Sequence, residues 1–285
     1  MLSERKRAQA IQELRPSYPL PAILEVSGMA RSTFYYHKKR FNDADKYESA
    51  KKEINAIFHK HRGRYGYRRI TLELCKKGFK LNHKTVSKLM AELGIKSEVR
   101  KKKYRSYRGE VGKTVPNILE RNFKADKPNQ KWATDVTEFS LLGTKLYLSP
   151  IIDLYNGEIV SYNIAQQASL QQTMNMIEDA FCKIPDNEKL ILHSDQGWQY
   201  RHHYFQHRLQ QKGVIQSMSR KGNCLDNAVI ENFFGILKSE LLYLQKFDSV
   251  EHFHKELDEY MKYYNNDRIK LKLNGMSPVQ YRTHH

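Results

Sequence analysis

Three carboxylates in this sequence occupy places where a lone charge gains nothing structurally. Asp135 sits inside a strand-like run, Trp132-Ala133-Thr134-Asp135-Val136-Thr137, where a charge is costly unless a cation binds beside it. Asp195 follows the apolar run Leu190-Ile191-Leu192 within His193-Ser194-Asp195-Gln196-Gly197, at the strand end where mixed α/β sheets display functional groups. Glu231 lies beside an apolar stripe of Ile230, Phe233, Phe234, Leu237 and Leu241, at the edge of a buried helix face. Each alone reads as a cap or a solvated charge. Three anions meeting at one point repel and raise one another's pKa unless cations compensate them. All-oxygen ligands with open positions suit Mg²⁺, with Mn²⁺ as a substitute. Two such ions about 3.5–4 Å apart activate the attacking oxygen and stabilise the leaving oxygen of an in-line phosphoryl displacement. Asp135, Asp195 and Glu231 are therefore the expected catalytic and metal-binding residues, with Asp135 bridging and no covalent protein intermediate.

Other side chains qualify as helpers. Lys238 is seven residues after Glu231, about 700° round a helix and so nearly on the same face, within reach of phosphates or bases beside the site. Asn227, one turn before Glu231, either positions a water or phosphate or serves the helix start. Asp153 is expected to make structural hydrogen bonds, and His193 to orient Asp195 or a phosphate. His203 and His207 have the i,i+4 spacing of metal ligands but lack a third partner, so surface histidines are expected. Trp198 and Tyr200 either stack on an unpaired base or simply pack. Cys75, Cys182 and Cys224 form no C-x-x-C pair and read as reduced, buried thiols.

The elements that must carry these groups are legible. Runs 132–142, 145–153 and 158–165 have strand length and composition, although Pro150 implies an edge or a bulge in the second. Asn156-Gly157 makes the second and third antiparallel neighbours. A helix over 170–183, a strand over 189–193, a helix over 200–212, a strand over 214–217 and long helices over 226–242 and 250–265 follow. This is an α/β pattern: a mixed sheet with helices on both faces.

Upstream the character differs. Of the 285 residues, 49 are Lys or Arg and 31 Asp or Glu, a net charge of +18. Through Lys131 there are 33 basic residues against 13 acidic, and after it 16 against 18. One end is built to grip a polyanion, and nucleic acid is favoured. A membrane surface suits the basic segments poorly, because they carry turn signals and interleaved tyrosines rather than a broad apolar helix face. Apolar residues at 40% exclude a wholly disordered basic tail. No stretch approaches the roughly 20 apolar residues of a membrane span and no signal region opens the chain, so a soluble intracellular protein is expected.

Residues 1–45 form a helix-turn-helix-like segment, with a turn at Ser27-Gly28 before Arg31-Ser32-Thr33-Phe34-Tyr35-Tyr36. Residues 46–105 form a second such unit, its later helix capped by Asn82 and presenting Lys84, Thr85 and Lys88. Arg64, Arg68 and Arg69, in the basic and aromatic word Arg62 to Arg69, are further candidate DNA contacts. Residues 106–131 read as a basic linker and 132–285 as the catalytic part.

With 35 residues between Asp195 and Glu231, and Lys238 seven beyond, the carboxylates match the D,D-35-E signature of retroviral-integrase-like transposases. Thr134-Asp135-Val136-Thr137-Glu138-Phe139, His193-Ser194-Asp195-Gln196-Gly197 and the word from Asp226-Asn227-Ala228 through Glu231 to Lys238 resemble OrfB. OrfB is the second-frame product of bacterial insertion sequences whose transposase is split over two overlapping frames. The opening Leu20 to Lys39 is similar too, so the resemblance covers nearly the whole chain. It implies an RNase H-like integrase core with a five-stranded mixed sheet, and Mg²⁺-dependent cleavage and strand transfer at terminal inverted repeats. It also implies a homo-oligomer on double-stranded DNA in the bacterial cytoplasm, at the nucleoid, and an upstream-frame product joined by frameshift fusion. That product carries another helix-turn-helix and a leucine zipper; this chain has no sustained heptads. An integrase-type zinc motif is absent from the sequence, and no zinc is expected. Two alternatives stand beside this reading: a catalytically silent DNA-binding regulator, and an RNase H-type nuclease that cuts without joining.

Overall fold

The computed structural model describes residues 4–41, 45–98, 115–185, 189–220 and 224–284. The chain divides into two compact units, one running to Asn55 and the other starting at Ala56. In the first, α1 (Glu4–Leu14), α2 (Leu20–Ser27) and α3 (Arg31–Lys39) close around Ala8, Ile11, Leu24, Met29 and Phe34. Gly28 takes φ 63°, the left-handed cap that ends α2 before α3 begins. Helix α4 (Glu48–Lys60) follows.

In the second unit, α5 (Tyr67–Lys76) and α6 (His83–Glu92) turn back on one another through Gly78 at φ 86°. Ile70, Leu74, Val86 and Leu89 are buried, and the Asn82 side chain accepts the Lys84 N–H to cap α6 as expected.

The sheet is built from β1 (Lys131–Thr134), β2 (Thr137–Leu141), β3 (Thr144–Asp153), β4 (Ile159–Ala165), β5 (Ile191–Ser194) and β6 (Ile215–Met218). Strands β1 and β2 lie end to end along one edge of β3, both antiparallel to it, and β4 runs antiparallel along the other. Strand β5 is parallel to β1, and β6 to β5. The sheet thus has six strands in five rows, its mixed direction as the sequence pattern predicts and its five rows as the resemblance implies.

The single strand predicted over 132–142 is broken at Asp135-Val136. Thr134 pairs with Ile151 and Thr137 with Leu148, so the register sets Pro150 opposite Asp135. The ladder lapses where a residue without an N–H stands. Pro150 is in an inner strand rather than at an edge, and the β3–β4 register shifts one residue on, between Ile151 and Ile152.

Helix α7 (Leu170–Phe181), capped by the Ser169 hydroxyl, and α9 (His203–Gln211) cover one face, packing on Trp132, Ile151, Val160 and Leu192. Helices α10 (Ala228–Leu237) and α11 (Val250–Asn266) cover the other, against Ala133, Phe139, Leu146 and Ile152. At about 1.5–3 kcal/mol per large apolar side chain removed from water, these two layers fix where the strand ends point. The helix predicted over 200–212 is two pieces, α8 (Trp198–Arg201) and α9, hinged at His202. That predicted over 226–242 is three: a 3₁₀ turn at 224–227, α10, and a π turn at Lys238–Leu242 where the Tyr243 N–H reaches the Lys238 carbonyl. A short helix α12 (Pro278–His284) ends the described chain. Cys75 and Cys182 are exposed, not buried: each lies at the C-terminal end of a helix.

Candidate active site

Parallel pairing of β1 with β5 sets Ala133 beside His193, so Asp135 and Asp195 occupy matching positions two residues further on, beyond both strand ends. Each carboxylate is turned by its local backbone. Asp135 accepts the Val136 N–H at 2.7 Å and Asp195 the Gly197 N–H at 2.9 Å. A Cβ on Gly197 would stand 2.9 Å from Asp195 Oδ1 and 2.8 Å from Gln199 Oε1, so any side chain here would push on the Asp195 carboxylate. Helix α10 lays Ile230, Phe233, Phe234 and Leu237 on the sheet and leaves Glu231 partly exposed at the rim of that face.

Burial pushes the Asp135 carboxyl well above the usual range, and the charges of Asp195 and, less strongly, Glu231 push it the same way. Asp195 and Glu231 are raised by burial, with the Gly197 N–H and Arg201 pulling Asp195 back. The donor set is all carboxylate oxygen and carries more negative charge than its surroundings compensate, which fits a hard divalent cation. Among the described residues, no three His, Cys, Asp or Glu side chains already close around one point. Tyr200 forms the floor: it is buried, its hydroxyl 3.4 Å from Thr134 Oγ1, and burial and then the charges of Asp135 and Asp195 hold that hydroxyl protonated. It has no face left for a base, whereas Trp198 is exposed.

A second set of residues ties the parts together; the sequence reading names only His193 among them, for orienting Asp195 or a phosphate, whereas both its ring nitrogens are engaged by Ser217 and Asp226. The buried His193 ring spans from Ser217 Oγ (2.9 Å) to the Asp226 carbonyl (2.8 Å). The carbonyl only accepts, so Nε2 carries the proton; burial holds the ring neutral. Asp226 is clamped by Arg220, Arg121 and Asn117 at 2.9–3.0 Å, and the guanidinium of Arg220 foremost holds its carboxyl far below the usual range. His193 thus fastens the start of the Glu231 helix to the strand that carries Asp195. Asn227 does not cap α10: it is buried, and neither its amide oxygen nor its nitrogen has a partner among the described residues. Lys238 stands at the π turn, its ammonium 5.4 Å from the Phe139 ring centre. Asp153 accepts N–H groups of Asn129 and Tyr155, each at 2.9 Å, a structural role as expected. His203 is exposed and stacks on His202 at 4.6 Å, and His207 is exposed as well.

An integrase core domain model matches residues 125–224, a second integrase core domain model matches 231–285, and an HTH-like domain model matches 45–103. Over 274 residues the chain is 52% identical to the putative transposase InsK for insertion sequence element IS150 of Escherichia coli K12, covering 96% of this chain and 97% of that one. The chain belongs to the OrfB-type transposases of bacterial insertion sequences. The transposase is also 34% identical to the transposase for insertion sequence element IS904 of Lactococcus lactis, covering 86% of this chain and 98% of that one. The HTLV-2 integrase catalytic core domain, solved in complex with magnesium, is 16% identical, with a TM-score of 0.44 over 55% of this chain and 98% of that one.

In the transposase, Lys84 and Lys88 are exposed on α6 and Thr85 is half-buried beside them; Arg68 is exposed on α5. Arg64 is buried and Arg69 half-buried, and both turn inward. Arg64 is 6% exposed, donates to the Glu240 carbonyl at 3.0 Å and lies over the Tyr260 and Tyr263 rings. Arg69 lies 3.6 Å from a Glu240 carboxylate oxygen and faces Tyr65. The backbone carbonyl of Glu240 holds the Arg64 guanidinium and its carboxylate faces that of Arg69, so both point into the fold rather than out to phosphate. The signal was present in the sequence: Glu240 falls three residues after Leu237 on the buried stripe, where a carboxylate must have a partner. Among the described residues no helix is long and apolar enough to cross a membrane.

Proposed function

We propose that this transposase cuts the phosphodiesters at the terminal inverted repeats of its insertion sequence and joins the freed 3′ ends to target DNA. The observation that carries the reading is the pair Asp135 and Asp195, set side by side beyond two parallel strand ends, with Glu231 adding to the same repulsion. Asp135, Asp195 and Glu231 would hold two divalent cations, Mg²⁺ or Mn²⁺ in its place, whose Lewis acidity serves both the entering and the leaving oxygen. In the first step a water oxygen bonds to phosphorus and a 3′-oxygen leaves with a proton. In the second, that 3′-OH bonds to a target phosphorus and displaces another 3′-oxygen.

The chain's own groups orient these steps. The Asn227 amide, one turn before Glu231 and without a partner among the described residues, suits a water or phosphate oxygen. Lys238 takes DNA beside the site. Lys84, Thr85, Lys88 and Arg68 take the duplex, phosphate contacts supplying most of the affinity. We further propose that the protein acts on double-stranded DNA as a homo-oligomer, fused to or partnered with its upstream-frame product.

The test is cleavage and joining on a labelled duplex bearing the element's own end, with Mg²⁺ or Mn²⁺, for this chain, for Asp195→Asn and for the frameshift fusion. Joined product that vanishes in the variant supports the proposal. Binding without cutting by both the wild-type chain and the fusion would favour a regulator, and cutting without joining a nuclease.

A further inference from the structure

The helical segment from Ala56 and the catalytic sheet are fastened by a buried polar joint. Tyr65 is fully buried; its hydroxyl donates to the Asp267 carbonyl and accepts the Ile269 N–H, both at 3.0 Å. His61 stacks on that ring at 3.7 Å and 7°. Arg64 donates to the Glu240 carbonyl and covers two tyrosines of α11. Glu240, 3% exposed, takes two bonds from Arg268 at 2.7 Å and one from the Tyr260 hydroxyl at 3.1 Å. At the rim, Lys76 reaches the Gly275 carbonyl at 2.8 Å and Arg62 pairs with Glu256 at 2.9 Å. A buried network of this kind adds little net stability but penalises any arrangement that leaves one member unpaired, so it favours a single geometry. Glu240 lies nine residues after Glu231 on the helix that α10 begins. One end of that helix carries a catalytic carboxylate and the other carries the joint.

We propose that this joint, rather than the connecting chain, fixes the offset between the DNA-reading helix α6 and the catalytic carboxylates, and thereby selects which phosphodiester is cut. Tyr65, Arg64, Glu240 and Arg268 are on this account positioning residues that determine cleavage specificity. The inference rests on the reading above that α6 binds the element end and the carboxylates cut it.

Two measurements on the full chain test it. The first needs no catalysis: with Cys224→Ser, spin labels on the exposed Cys75 of α5 and Cys182 after α7 report the distance between the two parts. A narrow distribution is expected, unchanged by a flexible Gly-Ser insertion of roughly ten residues between Ser106 and Tyr107, and broadened in Tyr65→Phe with Arg64→Met. The second maps cut positions at nucleotide resolution on the labelled end, with a footprint of the same complexes. The insertion is expected to leave footprint and cut site unchanged; the double variant keeps the footprint and spreads cuts over several neighbouring phosphodiesters, and restoring Arg64 narrows them again. A broad wild-type distribution, scattering by the insertion alone, or an unshifted single cut in a folded double variant would overturn the proposal. The insertion alters no joint residue, so that arm decides even where the double variant fails to fold. A wild-type chain that leaves no footprint and makes no cut sinks the underlying functional reading instead, while the distance measurement still judges the joint.

Discussion

Burial acts against the ionised form of Asp135, and the neighbouring Asp195 charge adds to it. A pair kept for structure would be arranged the other way, with each carboxylate opposite a cation, as Asp226 is opposite Arg220 and Arg121. The distinction is measurable. Asp195→Asn preserves shape and removes one charge, so the metal-free protein is expected to gain about 0.5–2 kcal/mol of stability, read as a higher Tm. Cleavage should fall by about 10³-fold, since losing several kcal/mol of charge stabilisation at about 1.4 kcal/mol per decade amounts to that. A destabilised Asp195→Asn that still cuts would assign the pair to structure. Asp226→Asn is expected to do the reverse, lowering Tm because two guanidiniums lose their partner.

At the scale of elements, the tight Asn156-Gly157 turn between β3 and β4 makes a second prediction. Gly157 holds φ 72°, and a Cβ there would run into the ammonium of Lys270, which donates to the Gly157 carbonyl at 2.8 Å. Gly157→Ala should cost about 1–3 kcal/mol, checked by urea melts. That turn was legible because Asn-Gly between apolar runs has few other readings, and the strands, the α10 stripe and the place of each carboxylate on its element were legible for the same reason: period and position are local. What was not legible is non-local. The interruption at Asp135 depends on Pro150 arriving opposite it, a fact of register. Arg64 and Arg69 share their basic and aromatic wording with phosphate-binding segments, and only Glu240, some 170 residues away, distinguishes the two. The joint they form adds a pH dependence. Burial pulls His61 down to about 4 from its ordinary 6.5. The unfolded chain therefore binds the extra proton first, and stability present above about pH 6.5 is lost as pH falls towards 4, by up to about 1.4 kcal/mol per unit. His61→Phe, keeping the stack on Tyr65, should flatten that slope in urea melts at pH 4.5 and 7.

For the whole molecule the charge is divided as the labour is: 33 basic against 13 acidic residues through Lys131, and 16 against 18 beyond. On the proposed reading, a nearly neutral catalytic part would hold DNA only if the other part supplied the grip, because three carboxylates without their cations would repel phosphate. Affinity and chemistry should therefore separate cleanly under mutation. Lys84→Ala and Lys88→Ala, both on the exposed side of α6, are each expected to weaken binding of the element end and to reduce the slope of log K against log salt by about 1, as one released counterion per phosphate contact requires. Cutting at saturating DNA should stay within a few-fold of wild type, because neither lysine belongs to the carboxylate site. Asp195→Asn should give the opposite pattern, with wild-type or slightly tighter binding in the absence of metal and an unchanged salt slope. If the lysine variants kept the wild-type slope while Asp195→Asn changed it, the grip would lie in the catalytic part and α6 would not be the reading helix.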